Sequence, residues 1–243
     1  CTDATNNFNV WTNTGEGTGN IQLLEGAGGT TNTYTVGATS YKSHTFTSSG
    51  TFTVTNLPDG VDIMICAGGG AGGVWHGGGG AGGMKVLTGV TASAGASYSI
   101  VIGAGGAGGS TSVGNNGSES SAFSNSCLGG GRGGKYLTTT PASGGSGAGG
   151  NATTVSAYYT GGAGTAGQGN AGGNGPNNHS GGGGGGKGSV GVASVNTTSG
   201  ADGGQGLNNL YSTGSDIMYS GGGASYAAQT TGGSGIVVIR YAV

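Results

Sequence analysis

Residues 61–73 read Val-Asp-Ile-Met-Ile-Cys-Ala-Gly-Gly-Gly-Ala-Gly-Gly, and this stretch decides the fold. Its first half is a short apolar run of the length of a buried β-strand, and its second half is a glycine island. The two halves follow each other directly along the chain. The sequence therefore predicts a buried strand over 61–67 that runs straight into an extended glycine-rich segment.

Glycine recurs at every third residue in and around the islands. A period of three matches neither the α-helix nor the β-strand, but it matches the extended left-handed helix that has three residues per turn. Such a helix makes no internal hydrogen bonds, so its peptide groups must bond to neighbouring segments. Where a face carries only glycine, these helices can lie backbone to backbone, and we predict that the islands serve as a packing device. The clearest examples are Gly103/Gly106/Gly109, Gly144/Gly147/Gly150, Gly182/Gly185/Gly188/Gly191 and Gly200/Gly203/Gly206.

The alternative to a packed scaffold is a flexible linker. Glycine makes up 66 of the 243 residues, and glycine-rich segments often behave as random coils. Here, however, strand-like segments bracket the glycines, and aromatic or β-branched residues interrupt them. We therefore predict an ordered, mainly β and irregular protein with almost no α-helix, in which a small β-sandwich-like frame carries a glycine-rich insertion.

Strand signals flank the glycine-rich region on both sides. Residues 44–47 and 51–54 alternate around Ser48-Ser49-Gly50, which predicts a hairpin. The strongest strand, over 235–241, is expected to return to the first sheet. Two further strands are predicted over 84–90 and 97–102. The predicted organisation is an extended arm or attachment segment over 1–40 and a glycine-rich domain over 41–243, with its β frame at 41–102 and 232–243 and its polyglycine-type region at 103–231.

Composition argues against several classes of partner. Only six residues are Lys or Arg and the formal net charge is −2, so a nucleic-acid partner is not expected. No stretch approaches the roughly 20 apolar residues that span a bilayer, so membrane insertion is not expected either. Three cysteines without metal-like spacing do not make a disulfide framework, and Cys66 is predicted to be a buried thiol.

The motifs that resemble catalytic or cofactor sites lack their essential parts. Gly181–Gly186 followed by Lys187 looks like the start of a phosphate-binding loop, but Gly188 replaces the Ser or Thr that holds magnesium. No paired carboxylates or nucleophile elbow appear. We predict that the protein is not an enzyme and uses no cofactor or metal. Its histidines lie in separate segments without ligand spacing, and the one in a predicted strand is expected to be structural: His44, with His76 and His179 in loops.

The order of these segments resembles a known family. A HTFTSSGTFTV hairpin pattern at 44–54 precedes the strand and GGGAGG island of 61–73, a GAGGAGG run occupies 103–109, and GGSGIVVIRY closes the chain at 232–241. This order is similar to the glycine-rich domain of bacteriophage tail fibres and tip adhesins, over about residues 41–243. The resemblance implies a β-rich frame with a sandwich of polyglycine II helices, and it implies that loops between glycine motifs contact the host receptor.

Large side chains that lie singly or in pairs between glycine-rich stretches are the candidate receptor-binding residues. Tyr and Trp supply amphipathic contact area at low entropic cost, although the same rings could instead cap the edges of the glycine layer. The candidates are Trp75, His76, Tyr136, Tyr158, Tyr159, Asn177, Asn178, His179, Tyr211, Tyr219 and Tyr226.

The resemblance suggests a virion protein on an exterior appendage, with a host surface glycan or outer-membrane protein as its partner. Other virion tail proteins, in a trimeric fibre for example, would be further partners. One alternative is an architectural component of a virion or extracellular filament. Another is an ice-binding protein, but the bulky Tyr and charged residues of the irregular spacers argue against the flat face that such a protein needs.

Overall fold

The computed structural model describes residues 25–57, 60–73, 77–108, 113–134, 140–151, 159–175, 180–195, 200–225 and 230–243. These residues form β-strands, turns and extended segments, and none of them is helical, which confirms a mainly β fold. The strands are β1 (Glu25–Ala27), β2 (Thr30–Val36), β3 (Thr39–Phe46), β4 (Gly50–Asn56), β5 (Val61–Cys66), β6 (Met84–Val90), β7 (Ser97–Ile100), β8 (Ser120–Ala122), β9 (Asn125–Cys127), β10 (Leu207–Asn209), β11 (Ile217–Tyr219) and β12 (Ile236–Ala242).

A five-stranded antiparallel sheet with the order β2-β3-β12-β5-β6 is the largest element of the frame. Its central strand is β12, the last strand of the chain. In the register, Ile239 lies opposite His44 on one side and Ile63 on the other. The prediction that the C-terminal strand returns to the first sheet is confirmed, as is the buried strand predicted after residue 61.

A second, three-stranded sheet with the order β1-β4-β7 closes the frame into a sandwich. Apolar residues from both sheets share one core, in which Phe52, Ile63 and Ile239 have no exposed surface. The short β8–β9 hairpin adds Phe123 and Cys127 to the same core. Burial of these side chains is the main force that holds the two sheets together.

The hairpin predicted over 44–54 is wrong. β3 pairs with β2 and β12, whereas β4 pairs with β1 and β7, so the chain crosses from one sheet to the other between them. The reason is that Phe46 and Phe52 both point into the core from opposite sides. Two strands paired edge to edge in one sheet would present these rings side by side on one face instead.

The frame also begins earlier than expected. Within the range predicted as an extended arm, β1 forms an edge of the three-stranded sheet and β2 forms an edge of the five-stranded sheet. Gly26 lies directly over the Phe52 ring, so this segment covers the core. Residues 1–24 of the predicted arm lie outside the described residues.

Between the strands, the chain runs back and forth in extended passes that form a glycine-rich bundle beside the frame. The passes that start at residues 67 and 77 lie within the range predicted as frame, so the bundle is not confined to 103–231. At the end of the bundle next to the two sheets, which we call the frame end, passes are joined by short turns at 166–168 and 187–189 and by the β10–β11 hairpin. Passes leading away from the frame are 67–73, 103–108, 128–134, 146–151, 169–175, 190–195 and 220–225, and those returning are 77–83, 113–119, 140–145, 159–165, 180–186, 200–206 and 230–235.

Hydrogen bonds of pass 67–73 show the three-residue period directly. Its successive backbone N–H groups donate to three different neighbouring passes in turn, and every third residue addresses the same neighbour. Its carbonyls accept from two more passes, as in the bonds from Gly106 N to Gly69 O and from Gly130 N to Gly68 O. The three-residue repeat read from the sequence is therefore the hydrogen-bonding repeat. The donor–acceptor pairs are Ala67–Gly83, Gly70–Gly80 and Gly73–Gly77; Gly68–Ser118 and Ala71–Asn115; and Gly69–Gly233 and Gly72–Thr230.

Close backbone approach explains why the passes consist of glycine. A Cβ atom added at Gly70 would overlap the carbonyl oxygen of Gly131, and one added at Gly184 would overlap that of Gly79. Both obstructing atoms belong to the backbone of neighbouring passes, so no rotamer change relieves the overlap. The islands are a packing device, as the sequence predicts.

His44 is a structural residue of the frame. Its ring has no exposed surface and stacks on Tyr241 at 5.7 Å between ring centroids. The Nδ1 atom lies 2.7 Å from the Gly28 carbonyl oxygen, which can only accept, so Nδ1 carries the hydrogen. The Tyr241 hydroxyl donates to Nε2 at 3.1 Å and accepts from Gly26 N at 2.9 Å. The neutral ring thus satisfies both nitrogens, and burial lowers the pKa of His44.

We expect this histidine to make the fold less stable in mild acid. An unfolded histidine takes up a proton below about pH 6.5, whereas the folded ring resists protonation, so stability present above that pH is lost as the pH falls towards the lowered native pKa. Urea unfolding between about pH 7 and pH 5 measures this loss. In His44→Asn, which can donate to Gly28 but cannot titrate, the pH dependence should shrink. An unchanged dependence would assign the effect to another group.

Candidate binding surface

The passes meet at one end of the bundle, opposite the two sheets, which we call the distal end. Most outward passes are hydrogen-bonded there to the following return pass, whereas the flanks Ser225 and Thr230 bond to Ala201 and Gly72 instead. The Gly73 N–H donates to Gly77 O at 2.8 Å, and the Asn115 N–H donates to Ala107 O at 3.0 Å. Between Gly73 and Thr230, the described ranges end and resume at the distal end. We call these end residues the flanks of the segments between them.

Further bonds join these pairs into one continuous surface. They link passes that are far apart in sequence, so the distal end is a single patch. The bonds run from Gly133 N to Ala71 O, Gly78 N to Gly182 O, Gly150 N to Gly173 O, Ser194 N to Asn174 O, and Ser225 N to Ala201 O, all between 2.8 and 3.1 Å.

Neutral polar side chains complete the hydrogen bonding near the distal end. The Asn174 side-chain oxygen accepts from Gly161 N at 3.1 Å, and the Ser225 hydroxyl accepts from Ala201 N at 2.5 Å. The Ser180 and Ser194 hydroxyls bond to each other. These bonds tie neighbouring passes together where they end, so the patch is held on a rigid base.

Most of the predicted receptor-binding residues lie outside the described residues. Tyr159 is described: it lies at the distal end, half-buried, with its carbonyl accepting from Gly175 N at 2.9 Å. Each candidate outside the described residues belongs to a segment whose two flanks lie at the distal end. They are Trp75, His76, Tyr136, Tyr158, Asn177, Asn178, His179 and Tyr226.

Two candidates, Tyr211 and Tyr219, lie at the other end of the molecule. They belong to the β10–β11 hairpin, which packs on the face of the five-stranded sheet that points away from the core, against Met64 and Val238. Tyr211 is only 7% exposed, and burial raises its pKa. The Tyr219 hydroxyl is 2.9 Å from that of Ser212. Both rings hold the hairpin on the sheet and lie away from the distal end.

Arg240 holds this hairpin to the frame, a role that we did not predict from the sequence. Its guanidinium lies between two tyrosine rings, with its carbon 4.3 Å from the Tyr41 centroid and 3.9 Å from the Tyr211 centroid. Nε and Nη2 donate to Asp62 Oδ2 at 3.1 and 3.0 Å. A signal was present, because each of the apolar strands 61–66 and 236–242 contains a single charged residue, and these two residues pair across the sheet.

Other kinds of site receive no support from the part of the chain that the structure describes. No group of three or more His, Cys, Asp or Glu in those residues could hold a metal ion. The described residues contain no helix that is long and apolar enough to cross a membrane. Cys66 and Cys127 are free, buried thiols, and burial raises their pKa to about 12 and about 11. The prediction that Cys66 is a buried thiol is confirmed.

The sandwich frame, the bundle and the shared distal end together define an all-β protein whose glycine-rich passes form a scaffold. The family model of the glycine-rich domain matches residues 45–242. The chain belongs to this glycine-rich domain family. A comparison with curated proteins gives no match.

Proposed function

We propose that this protein is a non-enzymatic bacteriophage virion protein, a tail fibre or tip adhesin, that binds the host cell surface through its distal end. One observation carries the proposal. Candidate residues as far apart in sequence as Trp75 and Tyr226 belong to segments whose described flanks all lie at the distal end. Recognition residues commonly sit on loops held by a rigid scaffold. The partner would be a host surface glycan or outer-membrane protein, and the frame end would face other virion tail proteins.

The bundle suits this role because of how its backbone is bonded. Pass 67–73 exchanges hydrogen bonds with five other passes, so its position is fixed on several sides. A base that is already ordered lowers the entropy lost when a partner binds. Aromatic side chains on such a base can then contribute a large share of the binding free energy.

Binding of the labelled protein to a panel of bacterial strains tests the proposal. Replacing Trp75, Tyr158 and Tyr159 together by Ala should weaken binding to a recognised strain at least about tenfold, since central aromatic residues dominate interface energies. The matched control replaces exposed apolar residues at the frame end, Ile217 and Met218, by Ala and should bind normally. Both variants are first compared with the parent protein by circular dichroism and thermal unfolding.

Two outcomes would count against the proposal. Normal binding by the folded triple variant would contradict the assignment of these residues. If no strain in a broad panel binds the protein, the architectural function, in a virion or an extracellular filament, would be favoured instead. Measurement of thermal hysteresis tests the ice-binding alternative separately.

A further inference from the structure

The two sheets of the frame have four edge strands among the described residues, and three of them carry protection against pairing with another chain. Natural edge strands are protected by shortness, charge, proline or bulges. β1 has three residues, includes Glu25 and has an irregular register with β4. β6 contains Lys85, and its pairing with β5 has a bulge. β7 has four residues, and the chain beyond it bridges from Val101 to Ser121.

The fourth edge strand, β2, has none of these protections. Its seven residues, Thr-Thr-Asn-Thr-Tyr-Thr-Val, include no charge and no proline, and its register with β3 is continuous. Threonine, tyrosine and valine all favour the strand conformation. Five of the seven residues are exposed. Within the described chain, its backbone hydrogen bonds go to β3 alone, so its outer edge presents peptide groups that are ready to pair.

Side-chain bonds to the β10–β11 hairpin also hold β2 in place. The Tyr34 hydroxyl donates to Tyr211 O at 2.5 Å, and the Asn32 side-chain nitrogen donates to Ser212 O at 3.1 Å. The Tyr34 ring stacks on that of Tyr41 at 5.9 Å between centroids. The edge is therefore ordered before any partner arrives, which lowers the entropic cost of adding a strand.

We propose that β2 pairs antiparallel with β2 of a second copy of this chain, about a two-fold axis at Thr33. This register places Thr33 opposite the partner's Thr33, Asn32 opposite the partner's Tyr34 and Thr31 opposite the partner's Thr35. Threonine pairs directly opposite each other stabilise antiparallel strands, and no like charges face each other. The surface is self-complementary, as a two-fold interface requires, and the two five-stranded sheets become one continuous sheet.

This pairing uses the frame and leaves the distal end free, so it does not depend on the proposed function. A single pair of seven-residue strands makes a small interface. We therefore expect a dimer whose population rises with concentration rather than an obligate one.

Sedimentation velocity over a wide concentration range tests the proposal. The parent protein should pass from monomer to dimer, and Thr33→Lys should raise the dimer dissociation constant by roughly tenfold or more, because two ammonium groups would then face each other. Thr53→Lys is the control: Thr53 is also an exposed strand threonine, but β4 lies between two neighbours, so its association should match the parent. A protein that stays monomeric throughout, or a dimer that Thr33→Lys leaves unchanged, would overturn the proposal.

Disulfide cross-linking tests the register and does not depend on how well the lysine variant folds. In a Cys1→Ser background, Thr33→Cys should form a covalent dimer on mild oxidation, because directly opposed residues have Cα atoms about 4.5–5.5 Å apart, within the range of a disulfide. Thr31→Cys should not, since four residues along a strand separate the two copies of Thr31 by roughly 13 Å. Equal cross-linking of the two variants would rule out this register, and absence of cross-linking at Thr33 would rule out the pairing.

Discussion

Replacing Gly232 by Ala is expected to lower the free energy of unfolding by about 3 kcal/mol or more, because the new methyl group would overlap a backbone atom of another pass. That atom is the Gly69 carbonyl oxygen, which accepts a hydrogen bond from Gly106 N at 2.8 Å. Relief requires the passes to separate, which breaks bonds between three of them. For a chain of this size the midpoint of thermal unfolding should fall by roughly 6–12 °C. Calorimetry or circular dichroism measures the shift.

The neighbouring residue provides the control. A Cβ atom at Gly233 would meet nothing within 4 Å, and the backbone there is outside the left-handed region that favours glycine. Gly233→Ala should therefore change the free energy of unfolding by no more than about 0.5 kcal/mol. Equal losses in the two variants would mean that backbone contact between passes is not the reason for glycine.

Arg240→Ala should destabilise the frame by about 2–4 kcal/mol. The substitution removes a cation that lies between two tyrosine rings. It also leaves the Asp62 carboxylate, with only 23% of its side chain exposed, without its cationic partner. Arg240→Lys should recover only part of the loss, since a lysine ammonium cannot stack between two rings as a planar guanidinium does. Urea unfolding of the parent protein, Arg240→Ala and Arg240→Lys gives the two differences in the free energy of unfolding.

A second ion pair, which joins the five-stranded sheet to the three-stranded sheet, provides a comparison for this effect. Lys42 and Glu25 also approach to 3.0 Å, but their side chains are 25% and 49% exposed. Lys42→Ala should therefore cost less than about 1 kcal/mol. A loss comparable to that of Arg240→Ala would show that burial between the tyrosine rings is not what makes Arg240 important.

The parts of the fold that repeat locally could be predicted from the sequence. The spacing of the glycines predicts the three-residue hydrogen-bonding repeat, because each peptide group turns by the same angle along a pass. The apolar strands at either end of the glycine-rich region predict the central pair β5 and β12. Alternation in 44–54 correctly indicates strands that bury Phe46 and Phe52. However, alternation indicates which side chains face the core and does not indicate which sheet a strand joins. The prediction of a hairpin over 44–54 was therefore wrong.

The candidate surface could be predicted only in part. The sequence draws attention to large residues among the glycines, but it does not say that their segments leave from one end. That arrangement depends on turns at the frame end that look like any other part of an island. Gly167, for instance, lies in such a turn with φ of 76°. Tyr211 and Tyr219 resemble the other candidates in sequence, and only the packing of the β10–β11 hairpin separates them.

The central position of β12 has a consequence for the order in which the protein folds. β3 and β5 lie on either side of it, yet the glycine-rich passes lie between β5 and β12 in the sequence. Completion of the core must wait for that strand, and contacts so distant in sequence form slowly. A chain interrupted before Ile236 would keep the facing edges of β3 and β5 open, a state prone to aggregation and proteolysis. A chain that lacks β12 should therefore lose the sandwich frame as a whole, because the shared core cannot close without its central strand.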